Sequence, residues 1–234
     1  MDNIKDIKYI FYINLESRKD RRIHFENQML LIGLNAIRFN AIKHNYGAIG
    51  CSLSHLMLLK YAKEHNLDHI LIMEDDIMFL NPNIFINNLN NFLMNHKEFD
   101  VLLLAGNNMG HYNVIDDNCI KITKCQTTTG YLVKNHYYDK LINNFEESTN
   151  NLINNIKSVG TYAIDQYWNK LQMVDNWYLL TPLTVTQRPD YSDIEKKNTN
   201  YNSVMLDLDK IKLRQLKYIK EQKIPNTMSS VIYK

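Results

Sequence analysis

The stretch ILIMEDD at residues 70–76 ends an apolar run with three consecutive carboxylates, Glu74, Asp75 and Asp76, and the apolar IMFL follows at 77–80. The run predicts a buried strand, and in open α/β sheets ligands bind at the carboxyl edge, where such a strand ends. Adjacent carboxylates repel one another unless a cation neutralises them, and Mg²⁺ and Mn²⁺ take oxygen ligands of this kind. The stretch therefore predicts a metal-dependent site for a phosphorylated substrate. The alternative is an acidic loop that hydrogen-bonds a helix N-terminus.

The overall composition is typical of a globular protein, since 45% of the 234 residues are hydrophobic. That length allows one large domain or two small ones. Lys and Arg number 27, against 25 Asp and Glu. Because the charges nearly balance, no global basic field indicates a nucleic-acid partner, and we expect none.

The sequence shows no pattern of secretion or of a membrane span. Residues 1–6 are polar and partly acidic, unlike a signal peptide, and no apolar run is long enough to cross a bilayer. Cys51, Cys119 and Cys125 are odd in number and lack metal-site spacing, so free thiols are expected, with a Cys119–Cys125 disulfide as the alternative. We therefore expect a cytoplasmic location or another reducing compartment.

Strand-like and helix-like patterns alternate along the first half of the chain. The predicted strands occupy 8–15, 36–42, 69–74 and 100–106. The predicted helices run from the charged segment 17–22 to a C-cap at Gly33, from 47 to 65, and from Pro82 to about His96. This alternation predicts an α/β fold with a Rossmann-like, mostly parallel central sheet flanked by helices.

The second half of the chain carries shorter and less regular patterns. Its predicted strands are 120–124, 128–133, 177–181 and 183–187, and its predicted helices are 135–145 and 162–173. Residues 107–118 are predicted to form a loop, and the Asn-rich residues 146–160 are predicted to be mobile.

The chain becomes polar after Gln187, and its C-terminal region carries a single amphipathic pattern at 204–222. We therefore predict a main domain at 1–194, followed at 195–234 by a polar linker and an amphipathic helix. The helix either packs on the domain, forms an interface such as that of a homodimer, or leads to a further domain. An ordinary packed helix is the simplest of these interpretations.

Four segments form an ordered set of motifs. NLESRKDRR at 14–22 follows the first strand, GAIGCSLSH at 47–55 opens a helix, LIMEDD at 71–76 ends the acidic strand, and TTTGYLV at 127–133 comes later. In this order they resemble glycosyltransferase family 25, which includes bacterial lipooligosaccharide galactosyltransferases and the collagen hydroxylysine galactosyltransferases. The family pattern, N-L-x-x-R-x-x-R, then G-x-x-G-C-x-x-S-H, then a hydrophobic strand ending in E-D-D, is met here. The resemblance spans about Tyr9 to Ile194.

The resemblance implies a GT-A fold and a hexosyltransferase activity. The donor would be a nucleotide-sugar, specifically a UDP-sugar, and the cofactor Mn²⁺ or Mg²⁺. The acceptor would be a hydroxyl of a glycan or of a hydroxylysine-like protein side chain, and transfer would invert the anomeric centre. Physical chemistry agrees, since a cation that bridges a diphosphate leaving group to carboxylates stabilises the charge that develops as the glycosidic bond breaks.

The resemblance also assigns roles to the acidic residues, because the triplet takes the place of a D-x-D motif. Glu74 is assigned to the ribose side of the nucleotide and Asp76 to the metal, while Asp75 serves either role. Asp193 lies in a late segment that also resembles the family. It is assigned to a second metal contact or to a loop that closes over the donor, and a turn-forming Asp is the alternative.

The polar residues after the first strand are candidates for donor binding. Asn14 and Arg18 stand where the base and phosphate of a nucleotide lie in a doubly wound sheet, and a guanidinium suits phosphate. Arg18 could instead belong to a solvated helix start. That solvated position is the favoured prediction for Arg21 and Arg22, because one face of the helix must be wet.

The second motif supplies two more donor-site candidates, Ser54 and His55. Both lie near the start of a predicted helix, where they either face the donor or brace the acidic strand. Cys51 is interpreted as a small core residue. Core packing is also the favoured prediction for Tyr131 and Trp177, although either ring could stack on a sugar or a base.

The catalytic base is predicted to be Asp165. An inverting transfer to a hydroxyl requires a group that takes the acceptor proton. Asp165 opens a predicted helix and resembles a late Asp of the family. An N-cap or first-turn Asp is the structural alternative.

Two other functions fit parts of the pattern. A nucleotidyltransferase would also handle a nucleotide-sugar, but such enzymes depend on a Gly-rich loop with Lys after the first strand, and residues 14–17 contain no Gly. An inactive carbohydrate- or protein-binding relative is the second alternative. The intact acidic triplet argues against it, and donor hydrolysis with Mn²⁺ would separate an enzyme from a binder.

Overall fold

The computed structural model describes residues 1–210. The strands are, in chain order, β1 Ile10–Asn14, β2 Ile37–Asn40, β3 His69–Glu74, β4 Ile77–Phe79, β5 Val101–Leu103, β6 Asn107–Asn108, β7 Tyr112–Val114, β8 Cys119–Ile122, β9 Cys125–Gln126, β10 Gly130–Lys134, β11 Trp177–Leu180, β12 Val185–Gln187, β13 Asp190–Ser192 and β14 Lys197–Thr199. The α-helices are α1 Lys19–Ile32, α2 Gly47–Glu64, α3 Pro82–Asn95, α4 Tyr138–Asn154, α5 Val159–Tyr162, α6 Ile164–Tyr167, α7 Asn169–Gln172 and α8 Asn202–Met205. Short 3₁₀ helices occupy Ile4–Asp6 and Asn135–Tyr137.

The helix ends follow local sequence signals. Gly33 ends α1 in the left-handed conformation, with φ 66°, and its N–H donates to the Leu30 carbonyl. Asn81 caps α3 by accepting from the Ile84 N–H, and Pro82 occupies the first turn, where its missing N–H costs nothing. These boundaries are therefore the ones that the sequence predicts.

An eight-stranded sheet in the order β2-β1-β3-β10-β5-β11-β8-β7 forms the centre of the protein. β1 runs parallel to β2 and β3, and β5 runs parallel to β11. β10 is antiparallel to its neighbours β3 and β5, and β8 is antiparallel to β11 and β7. The predicted α/β class with a central sheet flanked by helices is confirmed. The sheet is mixed, because β10 and β8 oppose the other strands.

Hydrophobic residues cover both faces of this sheet. Alternate residues of β1 enter different clusters, with Phe11 on the face that α2 and α4 cover and Tyr12 on the face that α1 and α3 cover. The two rings that sequence analysis assigned to the core, Tyr131 and Trp177, are fully buried. A sheet covered on both faces explains why its strands read as continuous apolar runs.

One edge of the sheet collects the polar segments. The parallel strands β1, β2 and β3 all end there, and Ile13 of β1 lies opposite Glu74 of β3. β10 runs the other way beside β3, so its first residue, Gly130, lies opposite Met73 at the same edge. The segments after β1, β2 and β3 and the segment before β10 therefore meet, and these are the four motif segments.

Two segments that were predicted to lack regular structure form ordered elements, so those predictions are wrong. β6 and β7 lie within 107–118, and β7 extends the sheet beyond β8. α4 continues to Asn154, across much of the segment predicted to be mobile, because Leu152 packs against Ala48 and Ile49 of α2. The few buried positions of this segment, such as Leu152, do not stand out in its Asn-rich sequence.

The prediction of a C-terminal helix at 204–222 is wrong for the first residues of that range. α8 ends at Met205, whose side chain is fully buried in the hydrophobic core, and residues 206–209 are not helical. The rest of the predicted helix, beyond residue 210, lies outside the described residues. The division at 194, the homodimer and a further domain stay predictions.

Two sequence-based expectations, free thiols and the absence of a membrane-spanning helix, can be compared with the structure. Cys51, Cys119 and Cys125 are free thiols, so the alternative disulfide is not formed. Within residues 1–210, no helix combines the length and the apolar character needed to cross a membrane.

A close contact between α2 and the segment after β2 depends on Gly50. A Cβ atom at this position would lie 2.5 Å from the Ile42 carbonyl oxygen. We expect Gly50→Ala to lower the free energy of unfolding by about 1–3 kcal/mol, since the backbone would have to move. Urea unfolding followed by circular dichroism measures the change.

The matched control is Gly160→Ala, because a Cβ at Gly160 would have no atom within 4 Å from any other part of residues 1–210, apart from its own neighbours and helix backbone. Since Gly160 lies in a helix, Ala should leave stability unchanged or raise it by up to about 1 kcal/mol. Equal effects of the two substitutions on the free energy of unfolding would show that the close contact at Gly50 does not affect stability.

Candidate active site

All four motif segments line one cleft of about 640 Å³ at the carboxyl edge of the sheet. The β13–β14 hairpin and the segment that follows it contribute another wall. Every residue assigned to the site by sequence analysis, except Asn14, lines this cleft: Arg18, Ser54, His55, Glu74, Asp75, Asp76, Asp165 and Asp193. Asn14 is buried directly behind Asp75. The topology therefore brings together residues that are far apart in the chain.

Glu74, the last residue of β3, has hydrogen-bond donors around both carboxylate oxygens. Thr128 Oγ1 donates to Oε1 at 2.8 Å, and Gln187 Nε2 donates to Oε2 at 3.1 Å. His55 Nε2 lies 3.4 Å from Oε1. Burial opposes ionisation, but the contacts with His55 and Thr128 outweigh it and lower the pKa of Glu74. Glu74 is therefore a well-supported anion.

His55 and Ser54 make structural contacts behind the acidic edge. His55 is fully buried between Glu74 and the Tyr131 hydroxyl, which lies 2.9 Å from Nδ1. Ser54 Oγ accepts from the Ile42 N–H and donates to the Gly50 carbonyl. Of the two roles left open by the sequence, His55 thus has the contact expected for bracing the acidic strand. A donor-site role for either residue stays a prediction.

Asp75 is held from two sides. Asn14 Nδ2 donates to Asp75 Oδ2 at 2.7 Å, and Arg21 Nη1 donates to Oδ1 at 3.0 Å. The Asn14 side-chain oxygen in turn accepts from Arg38 Nε at 2.9 Å. The amide predicted to meet a nucleotide base is therefore engaged in holding the acidic edge together.

Asp76 carries the least satisfied charge of the triplet. Its Oδ2 accepts from Arg21 Nη1 at 3.0 Å, but its buried Oδ1 has no hydrogen-bond partner among the described residues. Burial, followed by the negative charge of Glu74, raises the pKa of Asp76 to about 7 despite the nearby Arg21. The edge therefore holds more negative charge than the protein neutralises.

Arg21 was predicted to lie in solvent, and that prediction is wrong. Its guanidinium is 13% exposed and contacts Asp75, Asp76 and Asp190. The second Arg of the R-x-x-R spacing was the available signal, because a residue three positions after Arg18 lies on the same helix face. Arg22 is half exposed and pairs with Glu26 along α1, which confirms its solvated position.

Arg18 connects the first helix to the β13–β14 hairpin. Its guanidinium contacts Asp193 at 2.6 Å, Asp190 at 2.6 Å and Asp20 at 3.1 Å. Asp193 is therefore engaged with a cation of the protein, and its role toward a metal or a closing loop stays a prediction. No pattern in the sequence indicated Asp190, which contacts both Arg18 and Arg21 because the β13–β14 hairpin folds over the cleft.

Asp165 lies at the start of α6, half-buried in the cleft wall. Its Oδ2 accepts from the Thr127 N–H at 3.1 Å. Thr127 has a φ of 77°, which is strained for a β-branched residue and marks a local constraint beside the cleft. Burial raises the pKa of Asp165. The carboxyl is thus positioned by backbone geometry, as a proton acceptor in a cleft would need to be.

The cleft contains a second group of potential metal ligands. Cys51, His55 and Glu74 present ligand atoms that lie within 4.8 Å of one another. Cys51 is half-buried in the cleft wall, so its interpretation as a core residue is incomplete. This sulfur, nitrogen and oxygen set suits a softer ion than Mn²⁺, whereas Asp75 and Asp76 offer oxygen alone.

The unsatisfied charge of Asp76 has a consequence for stability. A raised pKa means that the native carboxyl keeps a proton that the unfolded chain has lost, so this residue weakens folding progressively from about pH 4 to about pH 7. Without divalent metal ions, we expect Asp76→Asn to stabilise the protein above about pH 7 by at most about 4 kcal/mol, from 1.36 kcal/mol per pKa unit. The gain should shrink toward about pH 4, and thermal unfolding at several pH values measures it.

The control for this prediction is Asp20→Asn, whose expected effect has the opposite sign. The hydrogen bond from Arg18 lowers the pKa of Asp20 to about 2. Its carboxylate therefore supports folding above about pH 4, and the substitution should lower stability there. Loss of stability in Asp76→Asn above about pH 7 would contradict an excess of negative charge at the edge.

Comparison with solved structures finds distant likenesses. One is a mannose-1-phosphate geranyltransferase from Thermus thermophilus, with a TM-score of 0.42 and 6% identity over 73% of this chain and 58% of that one. Another is a glycosyltransferase involved in the glycosylation of the major capsid of PBCV-1, with a TM-score of 0.39 and 9% identity over 74% of this chain and 91% of that one. A third is a nucleoside-diphosphate-sugar pyrophosphorylase from Vibrio cholerae, with a TM-score of 0.36 and 14% identity over 78% of each chain. These likenesses are too distant to assign a function.

Comparison of sequences is more decisive. No curated protein sequence matches the chain. The sequence model described as glycosyltransferase family 25 (LPS biosynthesis protein) matches residues 44–179. The match covers more than half of the 234 residues and includes α2, the acidic strand β3 and β10. It contains three of the four motif segments that meet at the cleft. The chain therefore belongs to glycosyltransferase family 25, and it is a glycosyltransferase.

Proposed function

We propose that this glycosyltransferase moves a hexose from a UDP-sugar to a hydroxyl acceptor, with inversion and with a divalent metal ion at the acidic edge. The observation that carries the proposal is the buried Oδ1 of Asp76, two residues after β3, which has no hydrogen-bond partner within residues 1–210 and lies beside a cleft of about 640 Å³. Arg21 contacts only Oδ2 of this carboxylate, so a further cation could be bound at Oδ1, where a nucleotide-sugar enzyme has a use for one.

The residues at this edge fit Mn²⁺ or Mg²⁺. Asp76 and Asp75 offer carboxylate oxygens, which are the ligands these hard ions prefer. Arg21 neutralises only part of their charge, as the raised pKa of Asp76 indicates. When bound, the ion would neutralise charge on the leaving diphosphate. We assign Asp76 as the main ligand and Asp193 as a candidate second one, which would first have to leave Arg18.

Arg18 and Arg21 are proposed to bind the donor diphosphate. A guanidinium matches phosphate oxygens in a bidentate manner. Both groups lie at the cleft, where they now contact Asp190 and, for Arg18, Asp193. An anionic donor would compete with these carboxylates, so its binding should loosen the contact between α1 and the β13–β14 hairpin. Glu74 is proposed to position the nucleoside from the cleft, and Asn14 is proposed to contribute by holding Asp75 in place.

Asp165 is proposed as the base that takes the proton of the attacking hydroxyl. It faces the same cleft from α6, and burial raises its pKa toward the range in which a carboxylate accepts a proton more readily. Its Oδ2 accepts from the Thr127 N–H, which fixes the orientation of the carboxyl in the cleft wall. The acceptor would be a glycan or a hydroxylysine-like side chain.

A thermal-shift panel of UDP- and GDP-sugars, each with and without Mn²⁺, tests the donor and metal. A ligand that binds the native state raises the melting temperature according to its concentration and affinity. We expect the largest rise with a UDP-sugar and Mn²⁺ together, and a loss of the Mn²⁺-dependent part in Asp76→Asn. No shift with any nucleotide-sugar would overturn the proposed donor class, and an undiminished shift in Asp76→Asn would exclude Asp76 as the ligand.

The base assignment predicts a separation of binding from transfer. Asp165→Asn keeps an oxygen that can accept from the Thr127 N–H but cannot take a proton. We expect transfer to fall by about 10²–10⁴-fold, while the melting-temperature shift with donor and Mn²⁺ is retained. Asp139→Asn, on the exposed surface of α4, is the matched control and should leave both unchanged. Transfer at the wild-type rate in Asp165→Asn would place the base elsewhere.

A further inference from the structure

Three potential metal ligands meet at a second place, outside the described lining of the cleft. His96 directly follows α3, Asp116 lies in the turn between β7 and β8, and Cys119 opens β8. His96 Nε2 lies 2.7 Å from Asp116 Oδ2 and 3.7 Å from Cys119 Sγ, and all three ligand atoms lie within 4.8 Å of one another. Sequence spacing gave no hint of this group, because the three residues come from separate elements.

We propose that His96, Asp116 and Cys119 bind a Zn²⁺ ion that links the end of α3 to the start of β8. Zn²⁺ bonds to His nitrogen and carboxylate oxygen at about 2.0–2.2 Å and to thiolate sulfur at about 2.3 Å, so tetrahedral ligands are separated by roughly 3.3–3.6 Å. The two distances to His96 Nε2, 2.7 and 3.7 Å, bracket that range. Metal binding would therefore lengthen the separation of His96 Nε2 and Asp116 Oδ2 by about 0.6 Å and shorten that of His96 Nε2 and Cys119 Sγ slightly.

Hydrogen bonds to Asp116 can serve both of its partners in this cluster, the His96 ring and the Cys119 thiol. Asp116 and Cys119 both approach the same ring nitrogen, Nε2 of His96. If that nitrogen donates its proton to Asp116, it cannot also accept from the thiol. A proton relay would use both ring nitrogens, one for each partner. A metal ion, in contrast, bonds to all three atoms at one point.

The ligands are already positioned by the surrounding structure. Asp116 Oδ1 accepts from the Asn118 and Cys119 N–H groups, which leaves Oδ2 directed at His96. The His96 ring packs 5.0 Å from the Phe92 ring and 6.1 Å from the Tyr178 ring, measured between centroids. Such second contacts fix the orientation of metal ligands and raise affinity.

An ion can enter this site and complete its coordination. His96 and Asp116 are partly exposed, whereas Cys119 is fully buried. Solvent can therefore supply a fourth ligand, as it does in zinc sites with three protein ligands. Binding would release the thiol proton of Cys119 to solvent, because a coordinating thiol is deprotonated.

The test uses Co²⁺ as a spectroscopic substitute for Zn²⁺ in the full chain after treatment with a chelator. A thiolate bound to Co²⁺ gives a charge-transfer absorption in the near ultraviolet. We expect the wild-type protein to show this band at one equivalent of Co²⁺, and Zn²⁺ to abolish it by displacement. Zn²⁺ should also raise the melting temperature. Absence of the band in the wild-type protein would overturn the proposal.

Two cysteine variants locate the site. Cys119→Ser should lose the band, whereas Cys51→Ser should keep it, because Cys51 belongs to the separate group with His55 and Glu74. The opposite pattern would place the metal in the cleft and overturn the proposal.

If Cys119→Ser does not fold, His96→Gln is the variant to test, and we expect it to bind Co²⁺ at least tenfold more weakly. Unchanged affinity would exclude His96 as a ligand. These readouts require no donor or acceptor, so they are independent of the proposed transferase reaction.

Discussion

The balance of charge at the end of β3 is the constraint on which the rest of the site depends. Three carboxylates in succession would repel one another in a partly buried cleft. Glu74 is stabilised by hydrogen-bond donors from α2, from the segment before β10 and from β12. Asp75 and Asp76 share Arg21, and Asp76 still keeps an oxygen without a partner among the residues described. The protein thus stabilises most of the charge and leaves a remainder that suits a cation.

The same charges hold together parts of the chain that are distant in sequence. Arg21 and Arg18 extend from the start of α1 to the β13–β14 hairpin through Asp190, more than 160 residues later. The hairpin forms a wall of the cleft, so its position is linked to the charge at the acidic edge. A ligand that changes this charge would therefore also act on the hairpin.

Much of the fold follows from local patterns. The strand 69–74 and the Gly33 C-cap agree with their predictions because an apolar run and a left-handed Gly are signals within a few residues. The predicted helix at 135–145 ended too early because the sequence that follows is rich in Asn, which has low helix propensity. Tertiary packing of Leu152 stabilises α4 there instead. The prediction for Arg21 was wrong for a similar reason. A charged residue near a helix start is usually solvated, but here the neighbouring strand end places Asp75 and Asp76 within reach of its guanidinium.

An α/β fold with an acidic strand end follows from the apolar and charged patterns along the chain, and the ordered motifs indicate the family. Those features are local, or they depend on order along the chain, so they can be read without coordinates. Contacts in three dimensions, in contrast, pair Arg21 with Asp75 and Asp76. They also bring Asp190 and Gln187 into the site and make His96, Asp116 and Cys119 converge elsewhere. The physical reason is that charge balance and ligand geometry depend on which side chains adjacent strands and crossing loops bring within a few ångströms, and no spacing in the sequence encodes those distances.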